Sequence, residues 1–378
     1  MSVVMDTNRG SASDLLRADL DYICDSLREE LAQLAGKRLL ITGGAGFLGY
    51  FLVQAALHFN SRHSAAERID VTVFDNYIRG LPDWLAQLAE TPGLTLRKYD
   101  VIQPLPADMG DFQFIIHAAG IASPKYYRLR PLETMDANIN GLRSLLDYCR
   151  SQQERGTPVE GMLFYSSSEI YGDPPANEIP TSEEFRGLVS CTGPRACYDE
   201  SKRYGETLCT VYAQKYDVPV KMARPFNNYG PGLKITDRRV LPDFCRAVLE
   251  GQPIVMYSDG SPTRTFCYSA DAIIGYYKVL VRGRAGEPYN IGTETPEVSM
   301  LELAQRIKTI GRELVGYEGE IICQPSPEAD YLVDNPNRRC PRIDKARREL
   351  GYEPGVELSD GLRRTLTWYL HHPQAEDA

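Results

Sequence analysis

The sequence predicts an α/β chain, a doubly wound parallel sheet joined to a smaller mixed α/β lobe. Three observations predict it. Short apolar runs alternate with helical patterns up to about residue 229, as in chained βαβ units. The first of those runs ends in a glycine repeat. Beyond residue 230 the pattern changes to scattered short strands rich in arginine.

The glycine repeat is Gly43-x-x-Gly46-x-x-Gly49, between the apolar run 38–42 and a helical pattern reaching about residue 59. Glycine at the first two positions allows a tight turn and close approach of a pyrophosphate to the backbone. The third lets the helix pack closely. An anion can then sit at the helix N-terminus. A second strand at 71–74 leads to Asp75, which can accept hydrogen bonds from ribose hydroxyls and repel a 2′-phosphate. The expected cofactor is therefore NAD, on a Rossmann-type sheet. Asn76 follows, and Arg79 offers either phosphate support or an ordinary solvated cation. Strand three, at 94–98, leads to Asp100 and Val101. Strand four, at 112–116, leads to His117, Ala118 and Ala119. His117 reads as a histidine hydrogen-bonded into the loop backbone rather than as a base.

Strand five, at 162–165, leads to Ser166-Ser167-Ser168-Glu169. The next helix carries Tyr198 and Lys202, four apart and so on one face. A nearby ammonium and an oxidised nicotinamide both favour tyrosinate, which makes Tyr198 a candidate base with Ser167 as a hydroxyl relay. Strand six spans 220–223. Strand-like stretches then fall at 253–257, 263–268, 289–292 and 321–323, with helices at 241–249 and 300–310 and a last helix near the end.

The domain reading places a Rossmann domain at 36–229 and 271–295, and a substrate lobe at 230–270 and 296–372. A helical extension occupies 1–35, with residues 1–10 expected to lack order. Its helix, 13–35, repeats Leu15, Leu16, Leu20, Ile23, Leu27, Leu31 and Leu34, the stripe of a packing helix or a partner-binding one. The net charge of −9, without a basic run, argues against nucleic acid or an anionic membrane as partner. Nine scattered cysteines without Cys-x-x-Cys spacing read as reduced thiols, and no metal site is expected. Charges at Asp6, Arg9, Asp14 and Arg17 interrupt any signal-peptide core, and no 18-residue apolar run exists, so a cytoplasmic protein is expected.

Longer strings carry a resemblance: Gly193-Pro-Arg-Ala-Cys-Tyr-Asp-Glu-Ser-Lys-Arg203, Ser168-Glu-Ile-Tyr-Gly-Asp-Pro174, Thr263-Arg-Thr-Phe266 and Asn335-Pro-Asn-Arg-Arg339. From residue 37 to about 370 the chain resembles the extended short-chain dehydrogenase/reductases acting on nucleotide sugars, within them the UDP-glucuronate decarboxylases. The resemblance implies oxidation of the sugar at C4 with NAD, loss of the C5 carboxylate as carbon dioxide, and return of hydride to give UDP-xylose, or release of the 4-keto sugar. It implies catalytic roles for Tyr198, Lys202, Ser167, Glu169 and Arg264, the last two beside the carboxylate and C5, with Glu169 delivering a proton there. The implied cofactor residues are Gly43, Gly46, Phe47, Leu48, Asp75, Asn76, Asp100, Val101, Ala118, Ala119, Tyr198 and Lys202. The implied substrate residues are Tyr127, Asn138, Ser168, Asn227, Arg239, Tyr257, Arg264 and Arg338. A homodimer through helices 133–149 and 198–214 is implied as well. Asn228, Gly232 and Arg238 depart from the family's usual loop.

Two related chemistries share the first oxidation. A 4,6-dehydratase places an aspartate before the glutamate, where this chain has Ser168. A 4-epimerase needs no acid at Glu169. A non-catalytic NAD-binding protein of this fold would be expected to lack Tyr198 or Lys202, and both are present.

Overall fold

The computed structural model describes residues 12–326, 333 and 335–372; the expectation for residues 1–10 lies outside them. Seven strands build one sheet: β1 (Arg38–Thr42), β2 (Asp70–Asp75), β3 (Leu94–Lys98), β4 (Phe114–His117), β5 (Gly161–Tyr165), β6 (Val220–Pro225) and β7 (Pro288–Ile291). Their order is β7-β6-β5-β4-β1-β2-β3, and every neighbouring pair is parallel. The order reverses between β1 and β4, so a crevice opens outside the C-terminal ends of those strands.

Helices cover both faces, which is why the central strands read as continuous apolar runs. One face packs on helices Gly49–Asn60 and Ser269–Arg282, the other on Leu142–Glu154 and Ala196–Tyr216. β4 begins two residues later than its apolar run. Both backbone groups of Phe112 are taken by the Gln152 amide, at 3.1 and 2.6 Å, and so are withheld from the ladder. The stretch 263–268 is likewise two strands rather than one. Thr263–Arg264 pairs with Val298–Ser299 and Arg338–Arg339, whereas Cys267–Tyr268 pairs with Asn228–Tyr229. The chain changes partners at Thr265, whose carbonyl accepts from Asn227 Nδ2 at 2.8 Å. The strand at 253–257 appears as Ile254–Met256, paired with Ile321–Cys323.

The helix expected over 13–35 breaks at the buried Leu27 into Ala12–Ser26 and Arg28–Leu34. Its apolar face lies in the chain's own core, against Gly49–Asn60, Ser269–Arg282 and Leu358–His371. Polar groups fix the docking. Tyr22 Oη donates to Asp271 at 2.7 Å, and Glu30 pairs with Lys278 and Arg282. Asp19 is fully buried and accepts from Tyr268 Oη at 2.6 Å and Arg364 Nη1 at 2.5 Å. Among the described residues, no helix is long and apolar enough to cross a membrane, and no cluster of His, Cys, Asp and Glu could hold a metal. Each cysteine is a free thiol.

Burial outweighs the Arg364 charge at Asp19 and pushes its carboxyl up to about 6. Asp19→Ala strands two buried partners and should lower the unfolding free energy by about 1–3 kcal/mol in urea titration. Asp19→Asn keeps an acceptor and removes a costly buried charge, so it should lose less. Equal losses in the two variants would show that the hydrogen bonds do not hold this helix in place.

Candidate active site

The C-terminal ends of β1, β2, β4 and β5 open into a cleft of about 990 Å³, closed on its far side by the lobe. Gly43 turns the chain at φ +74°, where a Cβ would lie 2.6 Å from the Ala119 backbone. No other residue fits there. A Cβ on Gly49 would meet the Gly44 carbonyl oxygen at 2.1 Å, so this glycine clears the turn itself rather than the strand. Asp75 accepts one backbone N–H on each oxygen, from Ala45 at 3.0 Å and Tyr77 at 2.8 Å. Lone pairs remain on both oxygens for ribose hydroxyls. Asn76 Nδ2 donates to Asp100 at 3.0 Å. All twelve residues expected around the cofactor line this cleft, and the tight glycine cradle beside a carboxylate fits NAD.

Tyr198 and Lys202 rise into the same cleft from helix Ala196–Tyr216. The Tyr198 ring stacks on Tyr127 with centroids 5.1 Å apart. Lys202 Nζ donates to the Tyr165 carbonyl at 2.7 Å. Burial pushes the Tyr198 phenol up to about 12, against a hydrogen bond with Ser167 that favours the anion. Burial pulls Lys202 down to about 7. Ser167 also accepts from the Glu169 N–H at 3.1 Å, capping the short turn Ser168–Tyr171. His117 is buried, held near 3 by desolvation, and so neutral. Its Nδ1 lies 2.7 Å from Thr42 Oγ1, a side-chain partner in addition to a backbone contact with Ala137.

Most expected substrate residues share the cleft: Tyr127, Ser168, Asn227, Arg239, Tyr257 and Arg264 line it. Asn138 and Arg338 do not. Asn138 lies fully buried in the π-helical turn Ala137–Gly141 and donates to Ser201 at 2.9 Å, bracing the Tyr198 helix from behind. Its Oδ1 has no hydrogen-bond partner among the described residues. Arg338 pairs with Glu297 at 2.7 Å, outside the cleft. Successive strand residues face opposite ways, so Arg339 points inward instead.

Arg339 and Arg195, which the sequence reading missed, both bond the Glu169 carboxylate, Arg339 Nη2 at 2.8 Å. Arg264 is the register partner of Arg339. Its guanidinium donates to the carbonyls of Thr263, Pro336 and Asn337 and so ties down the 335–337 turn. Burial and the neighbouring Arg339 pull Arg264 down to about 9. Two guanidiniums hold the Glu169 carboxyl well below the usual carboxylate range, although burial alone would raise it. Held ionised, Glu169 has no proton to give near neutral pH, and the proton-delivering role expected of it does not fit these surroundings. Arg195 precedes Tyr198 by one helical turn, the one local signal that could have found it.

Residues 39–292 match the model of the NAD dependent epimerase/dehydratase family. The chain is 35% identical over 339 residues to UDP-glucuronic acid decarboxylase 1 of Xenopus tropicalis, covering 90% of this chain and 73% of that protein. It is 36% identical over 325 residues to UDP-glucuronic acid decarboxylase 6 of Arabidopsis thaliana, covering 86% of each. Among solved structures, an epimerase of Methanothermobacter thermautotrophicus superposes with a TM-score of 0.76 at 27% identity, covering 92% of this chain and 96% of that one. The dTDP-glucose 4,6-dehydratase DesIV of Streptomyces venezuelae, solved with NAD bound, gives 0.74 at 26%, covering 89% and 97%.

Glu169→Gln removes the carboxylate that Arg195 and Arg339 share. Leaving a buried ion pair half-made costs about 3–5 kcal/mol, and less where one partner is partly open, as Glu169 is. The unfolding free energy of the variant should fall by about 2 kcal/mol, and added inorganic sulfate should recover part of it. Unchanged stability without sulfate would mean that Glu169 does not balance these arginines.

Proposed function

The chain belongs to the NAD-dependent epimerase/dehydratase family, and on that premise we propose that it decarboxylates a nucleotide uronic acid, UDP-glucuronate, by transient oxidation at C4. One observation carries the reading. Arg195, Arg264 and Arg339 converge on a single cleft carboxylate, Glu169. Asp199, 3.9 Å from Arg195, and Asp173, which acts on Arg264, lie around the same cluster. Burial and the Arg339 charge pull Arg264 down, and an incoming carboxylate beside it would favour its charged form. The names of the decarboxylase relatives support the same substrate.

The other residues fit the reaction. NAD, when bound, accepts hydride from the sugar and later returns it. Tyr198 takes the C4 hydroxyl proton, with Ser167 as relay. The Lys202 ammonium and a cationic nicotinamide both favour tyrosinate, against the burial that holds the phenol up at about 12. Once C4 is a ketone, the C5 carboxylate is β to it, so carbon dioxide can leave with an enolate behind. The arginines orient that carboxylate, and Ser168 is the protic side chain next to Glu169. Hydride return gives UDP-xylose, whereas early release gives the 4-keto sugar. A dehydratase would have to protonate a departing C6 hydroxyl, and here a buried serine and an ionised glutamate stand where an acid is needed.

We further propose a homodimer through 133–149 and 198–214. Leu132, Met135, Tyr204 and Val211 are exposed on or beside these two segments, with Leu132 71% exposed. Exposed apolar groups clustered on adjacent helices favour a partner surface. A cytoplasmic location is part of the same reading.

Incubation with UDP-glucuronate should release carbon dioxide, seen as a UDP-pentose or UDP-4-ketopentose by mass spectrometry. No water should be lost from dTDP-glucose. Tyr198→Phe should lower turnover by at least ~10² with little change in NAD binding. A 4-keto-6-deoxy sugar made from a neutral nucleotide hexose, with uronates ignored, would overturn the proposal. For the dimer, Leu132→Asp combined with Tyr204→Asp should shift the mass by light scattering from twice the chain's to once; an unchanged dimer would place the interface elsewhere.

A further inference from the structure

Arg79 is the cation that the cofactor turn and the substrate cleft leave unassigned. It sits on the loop after β2, beyond Asp75 and Asn76. Arg79 Nη1 donates to Asp237 Oδ2 at 3.0 Å, and its guanidinium stacks 5.0 Å from the Tyr126 ring. Asp237 is 3% exposed, and its other oxygen accepts from Arg239 Nε. Its carbonyl accepts from Ser123 Oγ at 2.9 Å. Lys234 Nζ closes the ring by donating to the Arg79 carbonyl at 2.7 Å. Three segments therefore meet at one buried residue, Asp237: the loop beside the cofactor ribose site through its carboxylate, the loop after β4 through its carbonyl, and the lobe loop that carries Arg239.

Two of the chain's few left-handed non-glycine residues flank this junction, Tyr77 at φ +55° and Arg238 at φ +67°. Such backbone persists only where its surroundings over-determine it, commonly at ligand clamps. The rest of the Arg239 guanidinium makes no hydrogen bond among the described residues, so its Nη groups can meet an anion.

We propose that Asp237 is a positioning residue that couples the two halves of the cleft, so that a nucleotide diphosphate on Arg239 tightens the binding of NAD. One carboxylate is shared by two guanidiniums, one from each side of the cleft. A diphosphate that neutralises Arg239 leaves Asp237 freer to hold Arg79, and Arg79 holds the loop that follows Asp75 and Asn76. The coupling acts in both directions, as equilibrium linkage requires. This inference rests on the nucleotide-sugar reading.

The test titrates NAD into the full-length chain by calorimetry, with and without saturating UDP. Wild type should bind NAD about 5-fold or more tightly with UDP present, the lower end of ordinary coupling. Arg79→Met should bring that ratio below about 2, and Arg79→Lys, which keeps the charge, should restore part of it. Asp237→Asn should abolish the ratio even if it weakens both ligands. A merely structural role would lower both affinities and leave the ratio as in wild type, which would overturn the proposal. Binding of UDP without any effect on NAD would overturn it alone. Failure of wild type to bind UDP at all would overturn the nucleotide-sugar reading and this proposal with it.

Discussion

The balance of charge around Glu169 is the constraint on which the two halves of this molecule depend. Glu169 follows β5, Arg195 opens the helix that carries Tyr198, and Arg264 and Arg339 come from paired strands of the lobe. Arginines in register on neighbouring strands repel one another. They are tolerable only with a counter-charge, and the counter-charge belongs to the sheet domain. The ion pairs that neutralise the lobe therefore also fix its position over the strand ends.

Tyr198 and Lys202, on the other side of the cleft, are governed by burial. Tyr198 and Lys202 are displaced in opposite directions, because desolvation penalises a phenolate and an ammonium alike. Burial leans both towards their neutral forms. A bound cationic ring shifts the balance at Tyr198 towards the anion. If Tyr198 is the base proposed, its proton-accepting state is favoured with an oxidised cofactor. The close Tyr127–Tyr198 stack and the bracing of the helix by Asn138 keep that phenol in one place.

The amino-terminal helices use the same kind of contact for a different purpose. Asp19 and Glu30 place carboxylates against groups far away in sequence, and Tyr22 reaches the carboxylate of Asp271, so the extension is fixed to the domain by polar bonds as well as by its leucines. A stripe of leucines alone allows a helix to bind its own chain or another. The buried carboxylates specify the first, since each requires a named donor at a set place.

Local chemistry made much of this legible from sequence. The glycine turn, the acid that ends β2 and the Tyr198–Lys202 pair are set by spacing within a single strand, turn or helix, and β1 and β3 were readable to the residue. What distance in sequence concealed, the tertiary structure decided. A strand of two residues has no period from which to read its phase, so Arg338 and Arg339 could not be told apart until the lobe turned one inward. The state of Glu169 could not be read from its own neighbours, because the guanidiniums that hold it ionised lie 26 and 170 positions away. Sequence determined the glycine turn, the acid that ends β2 and the Tyr198–Lys202 pair; the long-range pairing of charges decided which arginines face the cleft and the protonation state of Glu169, because a carboxylate's proton depends on what surrounds it in space.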